Sequence, residues 1–261
     1  MPPSALSPTP YPDINAVLQM LLTGVRAVLD NYFIGLYLHG SLAMGDFDPG
    51  HSDIDFLVVT TRELPLKLIA DLEAMHNRIL NSGLKRAKKL DGSYISKKAL
   101  WRYNPDDTPR PYVDEGKFFV SRDGIECVIN RHILREHGVA VVGPPIKPLI
   151  APVSPEELRQ AVKEKLFTWW APMLKEPGFP NSGPGYQSYA VTTMCRALYA
   201  LKFGAIVTKP TAVRWAIMTL DKEWTKLIEA ALAWHDGDPA GDIERTKAFM
   251  RYTMEKTGTL N

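Results

Sequence analysis

Near residue 151 the hydrophobic period of the chain changes, and the two sides of that point call for different architectures. Before it, helix-like and strand-like patterns alternate. Ile14, Val17, Leu18, Leu21, Leu22, Val25 and Leu29 recur at helical spacing, which predicts an amphipathic helix over 13–30. Short aromatic and β-branched runs predict strands at 33–38 and 52–60, with Pro49-Gly50 as the turn signal between them. Leu68, Leu72, Met75 and Ile79 then mark a helix over 64–80 that Asn81-Ser82-Gly83 stops, and 89–95, 117–121 and 125–130 read as three further strands. Beyond residue 151 only helices are legible. Ser154-Pro155-Glu156-Glu157 has the capping-box spacing, with proline at the first helical position. Helices are predicted over 155–175, 186–203, 209–219, 222–235 and 239–256, parted by Pro177-Gly178, Gly183-Pro184-Gly185 and Asp236-Gly237-Asp238-Pro239. The expected fold class is α+β: a mixed domain over 1–151, with 1–12 an extended proline-rich tail, then an all-helical domain over 152–261.

Composition narrows the function classes. Of 261 residues, 45% are hydrophobic and 23% charged, which excludes disorder and leaves enough apolar material for a core in each half. The net charge of +2 is too even for a protein that coats nucleic acid. Cys127 and Cys195 lie far apart with no metal-ligand spacing, so both read as small buried hydrophobes rather than a disulfide or zinc site. No signal-peptide pattern opens the chain, and no apolar run reaches the ~20 residues that span a bilayer. A cytoplasmic monomer is expected.

The chemistry concentrates in His39-Gly40-Ser41, eleven residues of loop or short helix, and then Asp53-Ile54-Asp55 entering an apolar strand. Alternation along a strand puts Asp53 and Asp55 on one face, about 7 Å apart at ~3.3 Å per residue. Carboxylates so placed repel one another when alone and can share a divalent cation. All-oxygen ligands suit Mg²⁺, which commonly completes its octahedron with water and substrate phosphates. Gly40 lets backbone approach a phosphate and Ser41 offers a hydroxyl. A bare Asp-x-Asp is usually a solvent-facing strand edge; the upstream Gly-Ser, in this order and spacing, shifts the reading to a nucleotide site.

In these residues the sequence resembles the DNA-polymerase-β-like nucleotidyltransferases, and more narrowly the aminoglycoside 3″/9-O-adenylyltransferases that inactivate streptomycin and spectinomycin. Arg135-Glu136-His137-Gly138 through Pro144 is similar to the stretch closing that family's nucleotidyltransferase domain, and 188–216, with Arg196, Lys209 and Trp215, to its second-domain helix pair; 97–124 has no counterpart. The resemblance implies transfer of AMP from ATP to a hydroxyl of a small acceptor, an aminoglycoside or aminocyclitol, with release of pyrophosphate. ATP and acceptor are then expected in a cleft between the two domains, with two magnesium ions. It implies that Asp53 and Asp55 hold metal, that Gly40 and Ser41 contact phosphate, and that Arg196 and Lys209 meet the triphosphate. Asp91 falls where the resistance enzymes carry a glutamate base, and is expected as the third carboxylate of the site and a metal ligand. Glu126 is the substitute candidate, although its place in Ile125-Glu126-Cys127 reads as a solvent-facing strand position. Tyr186 stands where a drug-binding aspartate is expected. Asp106, Asp107, Asp114 and Glu115 supply the nearby acid, with Asp114 and Glu115 as acceptor-binding candidates. Streptomycin is therefore expected to be a poor acceptor, and a less cationic hydroxylated compound a better one.

Two other readings remain: a nucleotide-binding regulator that has lost turnover, suggested by Asp91 in place of glutamate, and a transferase acting on RNA or protein, suggested by Lys85, Arg86, Lys88, Lys89, Lys97, Lys98 and Arg102. That basic cluster lacks the interleaved aromatics of single-strand binders and reads rather as a solvated helix end and strand edge, so nucleic acid is not the expected partner. His39, His51, His76, His132, His137 and His235 show no metal-ligand spacing. Trp169, Trp170, Trp215, Trp224 and Trp234 read as core or interface packing.

Overall fold

The apolar stripe of the first helix, α1 (Pro12–Leu29), is buried along its whole length, with Ile14, Val17, Leu18, Leu21 and Val25 fully inaccessible. A computed structural model describes residues 7–104, 106–121, 127–175, 183–235, 237–239 and 241–258. The chain divides into two compact units, Met1–Pro152 and Val153–Asn261.

The first unit is built on a six-stranded sheet of order β5-β4-β3-β2-β1-β6. Its strands are β1 (Phe33–Leu38), β2 (Ile54–Thr60), β3 (Leu90–Ser96), β4 (Arg110–Asp114), β5 (Lys117–Ser121) and β6 (Val139–Val142). The short helix α2 (Gly40–Met44) joins β1 to β2, and α3 (Leu66–Leu80) provides the crossover that makes β2 and β3 parallel; the other pairs are antiparallel. Alternation sorts the sheet's side chains into two cores. Ile54, Phe56 and Val58 pack with α1 and with Leu72, Met75 and Ile79 of α3. Leu57 and Val59 pack on the other face with Tyr37, Ile95, Leu100 of α4 (Lys97–Trp101) and Leu134 of α5 (Val128–His137).

Two expectations in this unit need correction. The strand expected over 125–130 is helix α5 from Val128 on, with Cys127 as its extended N-cap; 122–126, and with them Glu126, lie outside the described residues. The apolar alternation there is too short to decide the matter. Arg131 decides it: buried to 2% exposure, it donates from Nε and a terminal nitrogen to the carbonyls of Leu100 (3.2 Å) and Ala99 (2.9 Å) at the end of α4, where helix carbonyls lack intrahelical partners. The stretch without a counterpart supplies β4 and β5, joined by the two-residue turn Glu115-Gly116. Cys127 is half-buried and only Cys195 is buried.

In the second unit the capping box of α6 (Pro155–Lys165) forms as expected: Glu157 N donates to Ser154 Oγ at 3.1 Å and Ser154 N to Glu157 Oε2 at 2.8 Å. The single helix expected over 155–175 is interrupted by a π-helical turn, Leu166–Trp170, before α7 (Ala171–Met173). The turn buries Trp170 and leaves Trp169 46% exposed, so Trp169 is not core. The remaining helices are α8 (Gly183–Phe203), α9 (Lys209–Thr219), α10 (Thr225–Ala233) and α11 (Ile243–Glu255). The last starts later than expected, because Asp242 rather than the Pro239 region caps it, accepting from Arg245 N at 3.0 Å. Among the described residues no helix is long and apolar enough to cross a membrane.

Candidate active site

At the end of β1 the chain turns sharply against β2. His39 N donates to the Asp55 carbonyl at 3.1 Å, and Gly40 then takes a φ of +57°. A Cβ at Gly40 would lie 1.9 Å from Asp55 Oδ2, so only glycine leaves room for that carboxylate. Ser41 follows in the first turn of α2, half-buried, and its carbonyl accepts from Gly45 N (3.0 Å) and Asp46 N (3.1 Å), closing the helix after five residues. The order of Gly-Ser and Asp-x-Asp in the sequence thus reflects a steric fit between the two motifs.

Parallel pairing of β2 with β3 sets Asp55 directly beside Asp91. Registered partners share a face, and here it is the face of Leu57 and Val59, so the carboxylates extend an apolar stripe to the rim of the sheet. The residues just ahead of the two strands also meet: Lys89 Nζ lies 3.2 Å from Asp53 Oδ1. Tyr112 on β4 donates its hydroxyl to Asp91 Oδ1 at 2.7 Å. Burial raises the Asp91 carboxyl from 3.8 to about 6; the Tyr112 hydrogen bond opposes this, and the negative charges of Asp114 and Asp53 add to it. Asp114, at the exposed end of β4, is itself raised, first by burial of its carboxyl and then by Glu115 and Asp53. His39 is fully buried and held neutral, its pKa lowered to about 4 by desolvation, and its Nε2 has no partner among the described residues.

Among the described residues no three side chains converge as a metal cluster. Asp53, expected to share a cation with Asp55 and Asp91, also pairs with Lys89. The donor set nevertheless fits a hard cation. Two carboxylates on adjacent registered positions, Asp55 and Asp91, suit Mg²⁺ when water and phosphate supply its other ligands.

Lys89 and Tyr112 were invisible as site residues in sequence: Lys89 sat in a run of lysines, and Tyr112 lies 21 residues from Asp91. Arg86, from the same basic cluster, is also consumed internally, by Asp13 at 2.9 Å and the Pro49 carbonyl. Asp106 makes a turn with Asn104, and Asp107 pairs with Arg110 at 3.2 Å.

The residues expected from the second unit lie on two helices. Arg196 is half-buried on α8, and Lys209 opens α9 with Nζ 5.2 Å from the centre of the Tyr189 ring. Tyr186 belongs to an aromatic group with Trp170 (6.1 Å) and Tyr189 (5.8 Å), and its hydroxyl donates to Met173 Sδ at 2.9 Å. It is packed where a drug-binding carboxylate was expected.

Residues 25–101 match the nucleotidyltransferase domain family, and 148–256 match the aminoglycoside adenylyltransferase C-terminal domain family. An aminoglycoside (3″) (9) adenylyltransferase of Klebsiella pneumoniae is 29% identical, covering 92% of this chain and 93% of that protein. The corresponding Escherichia coli protein is 26% identical over the same shares. A spectinomycin 9-adenylyltransferase of Campylobacter jejuni is 24% identical, over 87% of each chain. In fold, the chain is similar to the crystal structure of a spectinomycin adenyltransferase from Enterococcus faecialis with ATP and spectinomycin: the TM-score is 0.69 at 15% identity, covering 93% of this chain and 98% of that one. With both of its units matched in order and the relatives covered nearly end to end, this chain belongs to the aminoglycoside adenylyltransferase family.

Proposed function

We propose that this protein transfers AMP from ATP to a hydroxyl of an aminocyclitol antibiotic, releasing pyrophosphate. The observation that carries the reading is the Asp55 carboxylate, lodged in the space left by Gly40 and registered beside Asp91. Asp53, Asp55 and Asp91 would hold magnesium, which when bound supplies charge neutralisation at the triphosphate. The acceptor oxygen attacks the α-phosphorus, the bond from that phosphorus to the bridging oxygen breaks, and pyrophosphate leaves. Asp91, titrating at about 6, is mostly ionised at neutral pH and is suited to receive the acceptor's proton. Gly40 and Ser41 would approach the phosphates by backbone and hydroxyl; Arg196 and Lys209 would supply cationic partners for them. Asp114 and Glu115 are assigned to a positively charged group of the acceptor. With Tyr186 offering no carboxylate, spectinomycin is the proposed acceptor over the more cationic streptomycin.

A regulator without turnover has no specific observation in its favour, and the internal use of Arg86 and Lys89 weakens the reading as an enzyme acting on RNA. The test is AMP transfer from labelled ATP with Mg²⁺ and either drug. Spectinomycin should be modified and streptomycin only weakly, and Asp55→Asn should lower the rate at least about a hundredfold. Arg196→Ala and Lys209→Ala should weaken ATP binding by calorimetry. Transfer at the normal rate by Asp55→Asn rejects the assignment; efficient streptomycin modification rejects the acceptor preference.

A further inference from the structure

We infer that Tyr112 is a positioning residue for the reaction: its hydroxyl pins one oxygen of Asp91 and leaves the other to face the acceptor. The inference rests on the reading of Asp91 as a carboxylate of the transfer site.

The register brings the two side chains within reach of each other. Ser93 of β3 pairs with Tyr112 of β4, so their side chains share a face, and Asp91, two residues before Ser93, lies on that face as well. Tyr112 and Asp91 are therefore diagonal cross-strand neighbours. That separation, about 7–8 Å between backbones, is spanned by a long aromatic side chain and by few others. The Tyr112 ring is steadied from its other side by Phe119, its registered partner on β5, with ring centres 4.9 Å apart. At 2.7 Å from Oδ1, the hydroxyl makes a short hydrogen bond to an acceptor that carries charge when ionised.

The contrast with two buried tyrosines separates this role from packing. Tyr37 donates to the Pro144 carbonyl at 2.9 Å, and Tyr94 meets His76 Nε2 at 2.6 Å; both hydroxyls are spent on interior groups. Tyr112 spends its hydroxyl on a carboxylate at the rim. An aspartate carboxylate turns about two bonds and presents two equivalent oxygens. Occupying Oδ1 fixes both angles and selects Oδ2 for the acceptor, and such preorganisation is felt in turnover rather than in binding of the nucleotide.

Tyr112→Phe keeps the ring and its Phe119 contact and removes only the donor. Its kcat should fall about ten- to a hundredfold, with calorimetric ATP affinity and stoichiometry unchanged. Placed in an Asp91→Asn background, it should cost less than twofold further, because two groups acting as one unit are not additive. Three results overturn the inference: a kcat within twofold of the parent, a loss confined to KM for ATP, or the same factor in both backgrounds. A Tyr112→Phe protein that loses its fold or its ATP binding assigns the residue to structure and also overturns it. Asp91→Asn at the parental rate removes the underlying reading and the inference together. A crippled Asp91→Asn beside a fully active Tyr112→Phe removes the inference alone.

Discussion

Asp55 and Asp91 are neighbours on adjacent strands, yet their surroundings differ: one fills a gap in the backbone of Gly40, while the other is half-buried with a tyrosine donor. The cost falls on Asp91. With its carboxyl raised from 3.8 to about 6, the folded chain holds that proton more tightly than the unfolded chain does. The resulting stabilisation is complete below about pH 4 and is lost as the pH rises through 6. At pH 8 the ionised carboxylate is thus a liability, and Asp91→Asn, which keeps an acceptor for Tyr112, should raise the melting temperature of metal-free protein. The gain has an upper bound of about 3 kcal/mol, at roughly 1.4 kcal/mol per tenfold in the proton equilibrium, and solvent screening reduces it. At pH 4 the two proteins should melt together; a gain of equal size at both pH values would show that its cause is not charge. Gly40, Asp53, Asp55 and Asp91 could be singled out as candidates in the sequence because their order along the chain forms a pattern. The sequence hid Tyr112 and Lys89 because their contacts with Asp91 and Asp53 arise only from strand register.

Among the elements, the β4–β5 hairpin departs most from what periodicity suggests. Residues 117–121 showed a strand pattern, but β4 did not, since Arg110 and Pro111 break the expected alternation at its start. Its turn is a two-residue loop with Glu115 at φ +48° and Gly116 at φ +77°, the geometry of a type I′ turn, in which a glutamate is strained and an asparagine is at ease. Glu115→Asn should therefore stabilise the protein, by up to about 1 kcal/mol in denaturant melts. The same change removes a charge assigned to the acceptor, so KM for the drug should rise while the fold gains. A variant that gains stability with KM untouched would leave Glu115 a turn residue only. The misread strand at 125–130 has a different cause: α5 is fixed by Arg131 reaching the end of α4, a tertiary contact with no local signature.

For the molecule as a whole, the change of pattern near residue 151 was the most legible large-scale feature, because a helical unit and a sheet-based unit need different hydrophobic periods. The sheet order was only partly legible: β1 to β5 lie side by side in sequence order, with the crossover α3 hinting at the parallel pairing of β2 and β3, but nothing local shows that β6 returns to pair with β1. That order distributes cohesion unevenly. Among the described residues β2 and β3 share seven registered pairs, whereas β3 and β4 share two, Gly92 with Val113 and Ser93 with Tyr112. The outer hairpin thus forms a separate unit of local opening, whose amide protons should exchange with deuterium well before those of β2. Since it carries Tyr112 and Asp114 to the rim, warming should silence turnover at temperatures where calorimetry still records an intact core, and loss of activity should follow deuterium uptake by 110–121 rather than the global melt.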